Sequence, residues 1–136
     1  MGWAGRISQY LSVEFMLPAV GQGVLGLELR ARDDETREVV SFLNHETTWL
    51  EVGAERAFLK RLGGGCQLPI AAYGKIQGNQ LLVRGLVGGR DGRVMLRDEV
   101  SGPLRSGQAL GETLADKILA RGGRELLEEV AKTCLR

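Results

Sequence analysis

The chain has 136 residues and a mass of 14.8 kDa, enough for one compact domain or for one domain and part of another. Its 18 Lys and Arg residues nearly balance 17 Asp and Glu residues, so it offers no basic footprint, and neither nucleic acid nor a membrane is an expected partner. With two cysteines and one histidine, neither a disulfide scaffold nor a metal site is expected. The N-terminus lacks the features of a signal peptide and no apolar stretch approaches the ~20 residues of a bilayer span, which predicts a cytoplasmic protein.

The first 30 residues are predicted to contain a short amphipathic helix and then a strand. The apolar positions of the helix are Ile7, Tyr10 and Leu11, and Pro18 ends it. Over residues 24–30, leucines alternate with glycine or charged residues, which indicates a strand with two unlike faces.

A short helix is predicted to follow the strand, beginning at Asp33 or Asp34 and ending at Asn44. Its predicted buried side consists of Val39, Val40 and Leu43. Because a single strand needs sheet partners, we expect residues 1–45 to be the return segment of an otherwise missing α/β domain. The unpaired strand near 24–30 should then be frayed, or should pair with another copy of the chain.

Residues 46–136 are predicted to form a C-terminal α+β domain. A helix begins at His45 or Glu46 and ends at Leu62, with Gly63 at the left-handed C-cap position. Its predicted core face consists of Trp49, Val52, Leu59 and Leu62, and its predicted solvent face of Glu51, Glu55, Lys60 and Arg61. Three strand-like runs follow at 70–76, 81–87 and 94–100, and then two helical pieces that Gly122 and Gly123 separate. The predicted fold class is α+β, a three-stranded antiparallel sheet packed on helices, preceded by the strand-helix segment of a neighbouring α/β domain.

The run from Gly21 to Gly26 matches the G-x-G-x-x-G pattern of dinucleotide-binding loops. That mechanism needs a strand before the glycines and a helix after them, so that the helix N-terminus faces the pyrophosphate. Here Pro18 precedes the glycines and a strand pattern follows them. A glycine-rich loop that leads into a strand is the better interpretation, and a nucleotide-binding module stays open as an alternative.

Cys66 stands in a predicted loop, directly after three glycines and shortly before Pro69. The residues leave two interpretations open: an inert small hydrophobe, or a functional thiol that a bulky group can approach. A cysteine hydrolase is not indicated, because His45 lies at the far end of the preceding helix, about 25 Å away if that helix is straight. Cys134, near the C-terminus, is interpreted as incidental.

Four segments carry a resemblance to a known family. They are Pro18-Ala19-Val20-Gly21-Gln22-Gly23, Leu43-Asn44-His45, Glu55-Arg56-Ala57-Phe58-Leu59 through Leu62, and Gly64-Gly65-Cys66-Gln67-Leu68-Pro69-Ile70. With these motifs and their spacing, the chain resembles the porphobilinogen deaminases, also called hydroxymethylbilane synthases, over essentially its whole length. It departs from the family at Leu68, where a β-branched residue is usual, and at Gly63, where glutamate is common. We interpret both departures as packing variation.

The resemblance implies a transferase of tetrapyrrole and haem biosynthesis, which joins four porphobilinogen molecules into hydroxymethylbilane and releases ammonia at each step. Family members carry a dipyrromethane cofactor on a cysteine that Cys66 matches, and a thiolate is suited to a stable thioether with a carbon electrophile. The family loop that Gln22 and Gly23 match lies in the cleft near that cofactor. Cys66, Gln22 and Gly23 are therefore the cofactor-binding residues that the resemblance implies.

The chain resembles only the C-terminal part of the family, whose catalytic aspartate and most substrate-binding arginines belong to domains absent here. We therefore expect no catalytic residue and no turnover in this piece alone, and no cofactor on the isolated fragment. Porphobilinogen and the growing pyrrole chain should be bound through the missing domains. The second alternative is a non-catalytic interaction domain whose glycine loop is only structural. The sequence leaves open whether Met1 is a native start.

Overall fold

A computed structural model describes residues 2–65 and 68–134 of the chain. Its helices are α1 (Asp34–Val40), α2 (Glu46–Arg61), α3 (Gly107–Ile118) and α4 (Arg124–Cys134), and its strands are β1 (Ile70–Gln77), β2 (Gln80–Gly88) and β3 (Met95–Pro103). Short 3-10 turns occur at Ala4–Arg6, Ser41–Leu43 and Leu104–Ser106, and a π turn at Leu119–Gly123 joins α3 to α4. In the part of the chain that is described, no helix is both long and apolar enough to cross a membrane.

The sheet is antiparallel throughout, in the order β1-β2-β3, and its hairpins confirm the predicted α+β fold. β1 pairs with β2 from Ile70 opposite Val87 to Gln77 opposite Gln80, which leaves a two-residue turn. Two-residue connections match the right-handed twist of the strands they join. Both hairpins are local in sequence, so the three strands form one continuous meander.

Helices α2 and α3 cover one face of the sheet and enclose the core. Alternate residues of β2 point to that face, because successive side chains of a strand lie on opposite sides. The largest fully buried side chains are Phe58, Leu81, Leu114, Ile118, Val83 and Val87. Phe58 packs directly on the backbone of β2, where a Cβ on Gly85 would lie 2.6 Å from its ring. The helix-on-sheet core therefore depends on close backbone approach as well as on side-chain volume.

The end of α2 is a Schellman motif, which confirms the predicted C-cap. Gly63 adopts a left-handed φ of 66°, and its N–H donates to the Lys60 carbonyl at 3.1 Å. The Gly64 N–H donates to the Leu59 carbonyl at 3.2 Å, which completes the pair of bonds that define the motif. This cap turns the chain sharply out of α2 just before Cys66.

The structure differs from the prediction in the first 45 residues. In place of the amphipathic helix before Pro18 there is a 3-10 turn at Ala4–Arg6. Residues 24–30 do not form the predicted strand, and Leu25 is 97% exposed; that this segment pairs with none of β1–β3 was expected. Helix α1 forms at the predicted place, with the Asp33 carboxylate accepting the Thr36 N–H, but its predicted buried side is wrong because it contains no buried residue. These three departures have one cause: apolar positions become a strand or a buried helix face only against a partner surface.

Trp49 is also not a core residue, as it is 68% exposed. It lies in the first turn of α2, at a shallow depression between α2 and α3 that Leu50, Leu104 and Gln108 help to line. The helical period places Trp49 near the core stripe, but the core of the sheet begins only further along α2, at Val52.

Candidate functional site

Residues 19–24 form two consecutive turns that present Gln22 and Gly23 to solvent. The Gln22 N–H donates to the Ala19 carbonyl at 3.0 Å, and the Val24 N–H donates to the Gly21 carbonyl at 3.3 Å. The third residue of each turn is a glycine with positive φ, 71° at Gly21 and 79° at Gly23. Since L side chains are strained at such angles, the two glycines explain why the chain turns twice here.

This double turn is docked on the α+β domain at three points. The Ala72 N–H of β1 donates to the Pro18 carbonyl at 3.2 Å, and Val20 packs against the hydrophobic core. The Gly21 N–H donates to Glu55 Oε2 on α2 at 2.8 Å. The position of Gln22 and Gly23 is therefore set by α2 and β1, although both residues are far from those elements in sequence.

Glu55 was predicted to be exposed on α2, and that prediction is wrong. The residue is 6% exposed, and its carboxylate accepts two backbone N–H bonds, one on each oxygen: Gly74 donates to Oε1 and Gly21 donates to Oε2, both at 2.8 Å. Burial raises the pKa of Glu55, while the two N–H donors oppose that rise. A buried carboxylate with both oxygens bonded is a satisfied polar group.

The free edge of β1 explains why a carboxylate lies at this place. Alternate N–H groups of an edge strand point away from its partner, and here those of Ala72, Gly74 and Ile76 are all satisfied by other groups. The acceptors are the Pro18 carbonyl and the carboxylates of Glu55 and Glu51, which lie one turn apart on α2. Helix α2 comes so close to β1 that a Cβ on Gly74 would lie 2.6 Å from the Glu51 carbonyl oxygen.

The predicted cofactor attachment residue, Cys66, lies with Gln67 outside the described residues. On either side of the pair the chain is ordered by hydrogen bonds, because the Leu68 N–H donates to the Gly65 carbonyl at 3.1 Å. Leu68 packs against the core, while a Cβ placed on Gly65 would meet no atom within 4 Å. Gly64 is closely packed, because a Cβ there would overlap the Ile70 side chain and lie 3.0 Å from that of Leu59.

The structure does not provide the arrangement that dinucleotide binding needs. Residues 24–30 after the Gly21–Gly26 loop are not helical, and the next helix begins only at Asp34. Among the described residues, the glycines are therefore not followed directly by a helix, as that binding mode requires. His45 is the N-cap of α2, its Nδ1 accepting the Thr48 N–H at 3.3 Å, which confirms its predicted role as a helix start.

Comparison with known proteins gives two family matches on this chain. Residues 49–120, more than half of the chain, match the model described as the porphobilinogen deaminase C-terminal domain. The chain belongs to the porphobilinogen deaminase family. Residues 1–38 match the model described as the dipyrromethane cofactor binding domain of porphobilinogen deaminase, so Gln22 and Gly23 fall in one match and Cys66 in the other.

Curated relatives named porphobilinogen deaminase align over 130 residues, 96% of this chain. The relative from Pelobacter propionicus is 52% identical, that from Syntrophus aciditrophicus 48% and that from Geobacter metallireducens 46%. The aligned part makes up 42%, 42% and 41% of those proteins. The chain therefore spans about two fifths of the length of the porphobilinogen deaminases that it matches.

One residue of the site was missed at the sequence level. Glu55 lies on the same helical stripe as Val52, Leu59 and Leu62, at spacings of three and four residues, so its position on the wheel already pointed inward. Its charge and the neighbouring Arg56 favoured an exposed ion pair instead. A lone carboxylate on the apolar stripe of a helix is the signal that could have identified it.

Proposed function

We propose that this chain is the C-terminal part of a porphobilinogen deaminase, a transferase that assembles hydroxymethylbilane from four porphobilinogen units in cytoplasmic tetrapyrrole and haem biosynthesis. Cys66 is the attachment point of the dipyrromethane cofactor. The observation that carries the proposal is the alignment of 130 residues with curated porphobilinogen deaminases at 46–52% identity.

The described residues around Cys66 fit a covalently held pyrrole group. The Schellman turn at the end of α2 puts Gly63, Gly64 and Gly65 directly before the cysteine, and neither Gly63 nor Gly65 has an atom within 4 Å of where a Cβ would stand. Gly63 and Gly65 therefore keep their own positions free of side chains. When bound, the dipyrromethane supplies a primer to which further pyrrole units are added; the thiolate of Cys66 supplies a stable thioether link.

Gln22 and Gly23 are proposed to contact the cofactor from the other side. Their turn is bonded to Glu55, and Cys66 follows Leu62, the C-cap of the same helix. Seven residues separate Glu55 from Leu62, roughly 10 Å along the helix axis. Both segments are therefore connected to α2, the turn through a hydrogen bond and Cys66 through the chain.

Residues 1–45 are proposed to be the return segment of an α/β domain whose other elements this chain does not contain, and residues 46–136 the cofactor-bearing domain. In support, most exposed large apolar side chains of the described residues lie in that segment, including Trp3, Tyr10, Phe15, Leu25 and Phe42. The missing domains would bind porphobilinogen and the growing chain. This piece alone should then be inactive and free of cofactor, and its 24–30 segment should be prone to self-association.

The test joins this chain to the N-terminal three fifths of the Pelobacter propionicus relative, in place of that protein's own 130 aligned residues. After expression, intact mass should show two added pyrrole units, and porphobilinogen should be converted to hydroxymethylbilane. The separate 136-residue chain, mixed with the same N-terminal piece and porphobilinogen, should gain pyrrole units more slowly.

Cys66→Ser should abolish the adduct, whereas Cys134→Ser is the matched control and should keep it. A folded hybrid, shown by circular dichroism to match the parent, that carries no pyrrole on Cys66 would overturn the assignment. An adduct that maps to Cys134 would overturn it equally.

A further inference from the structure

Glu55 is the one buried charged residue among the side chains that the structure describes, and the cofactor chemistry gives it no part. Its two oxygens join two segments that are remote in sequence, the Gly21 turn and the free edge of β1 at Gly74. The other backbone bonds that the structure describes within residues 19–24 are local, from Gln22 to Ala19 and from Val24 to Gly21. The carboxylate is therefore the polar link between the tip of the turn and the domain that carries Cys66.

We propose that Glu55 is a positioning residue that holds Gln22 and Gly23 in place relative to α2 and β1, the elements that precede and follow Cys66 in the chain. The inference rests on the proposed function, in which Gln22, Gly23 and Cys66 all contact one bound dipyrromethane. Glu55 itself does not contact that group; it acts through the Gly21 N–H and the backbone of the turn.

The chemistry of the site requires a carboxylate and not merely an acceptor. Two N–H groups converge from opposite sides, and an ionised carboxylate presents an acceptor oxygen to each. A glutamine of the same shape must direct its NH₂ at one of them, which leaves two donors facing each other. Since the Gly74 bond is buried and the Gly21 bond only partly so, the amide oxygen should keep Gly74, and the turn should lose its bond to α2 while Pro18 and Val20 remain docked.

Glu51 provides a matched comparison one turn earlier on α2. Its Oε1 accepts a single N–H, from Ile76 at 2.8 Å, and lies 3.8 Å from the Lys75 ammonium. A glutamine can satisfy that one bond with its oxygen. Glu51 and Arg56 on α2 and Lys75 on β1 are the charged groups near Glu55, and residues 18–23 contain none.

The first experiment measures amide hydrogen exchange by NMR on the 136-residue chain. Glu55→Gln should accelerate exchange of the Gly21 amide on the order of 10- to 100-fold, the effect of losing a bond to a charged acceptor, and Glu51→Gln should leave it unchanged. In the wild type, the Gly21 amide proton shift should also titrate with Glu55, and this titration should vanish in Glu55→Gln. In Glu55→Gln the amide could instead turn its oxygen toward Gly21 and keep that bond. Glu55→Met has no strong acceptor in either orientation, so the Gly21 amide should exchange faster in this variant in any case.

The second experiment measures the rate at which Cys66 gains pyrrole mass in the hybrid described above. Glu55→Gln should slow it about tenfold or more, while Glu51→Gln stays within twofold. An unchanged Gly21 amide in both Glu55 variants overturns the proposal, and so does a freed turn with an unchanged rate. If the wild-type hybrid gains no pyrrole mass, the proposed function fails and the positioning role falls with it, even where the exchange data show the bridge intact.

Discussion

Two helical glycines that face opposite surroundings should respond to alanine with opposite signs. Gly111 of α3 packs against α2, and a Cβ there would overlap the Ala54 carbonyl oxygen and lie 2.8 Å from the Phe58 nitrogen. Gly53 of α2 is exposed, with no atom within 4 Å of its Cβ position. Alanine gains about 1 kcal/mol over glycine inside a helix. At Gly111 the added carbon meets rigid backbone, so α2 and α3 must separate.

Overpacking of this kind costs about 3 kcal/mol where backbone must move, so Gly111→Ala should lose about 2 kcal/mol net, while Gly53→Ala should gain about 1 kcal/mol. Thermal unfolding followed by far-UV circular dichroism measures both. The expected shifts in Tm are roughly −8 °C for Gly111→Ala and +4 °C for Gly53→Ala. If Gly111→Ala melts at or above the wild-type temperature, the close packing of α2 on α3 is not what holds this domain together.

Three further changes test the core, the charge and the turn. Phe58→Ala should cost about 3–5 kcal/mol in urea unfolding, because Phe58 is fully buried against β2; a loss below 1 kcal/mol would contradict that packing. The pKa of Glu55 is raised in the folded state, so the folded state binds the proton more readily than the unfolded state. The wild type should therefore gain stability relative to Glu55→Gln as the pH falls from 7 toward the ordinary carboxyl range. Urea unfolding of both proteins across that range measures this, and a difference that stays flat or reverses would refute it. Gly23→Ala should cost about 1 kcal/mol from its φ of 79° and disturb NMR shifts in the turn only; changes that spread into β1 would show a wider role.

The elements of residues 46–134 were predictable because their signals are local. The helix cap at Gly63, the β1–β2 hairpin and the break at Gly122 each depend on a few neighbouring residues, and all three occur as expected. The strand predicted at 24–30 depends instead on partners that its own sequence does not contain. The alternation of leucines with glycine or charged residues indicates which face such a strand would bury, but the strand forms no sheet without a neighbouring strand.

The candidate site was predictable only in part, for a related reason. The glycines of the turn indicate its sharp bends, and their φ values agree. What holds the turn is a hydrogen bond between residues 34 apart, from Gly21 to Glu55, and no local pattern records that contact. The stripe of apolar positions on α2 pointed Glu55 inward, but a partner for its charge became visible only in three dimensions. Cys66 stays a prediction from its motif.

The edge of β1 shows how the two parts of this chain are coupled. An unprotected edge strand would leave alternate N–H groups available for pairing, and here one chain segment and one helix occupy them together. Removing the 18–21 segment would free the Ala72 N–H and leave one oxygen of Glu55 buried without a donor, which carries a desolvation cost. The turn and the domain are therefore stabilised by the same bonds.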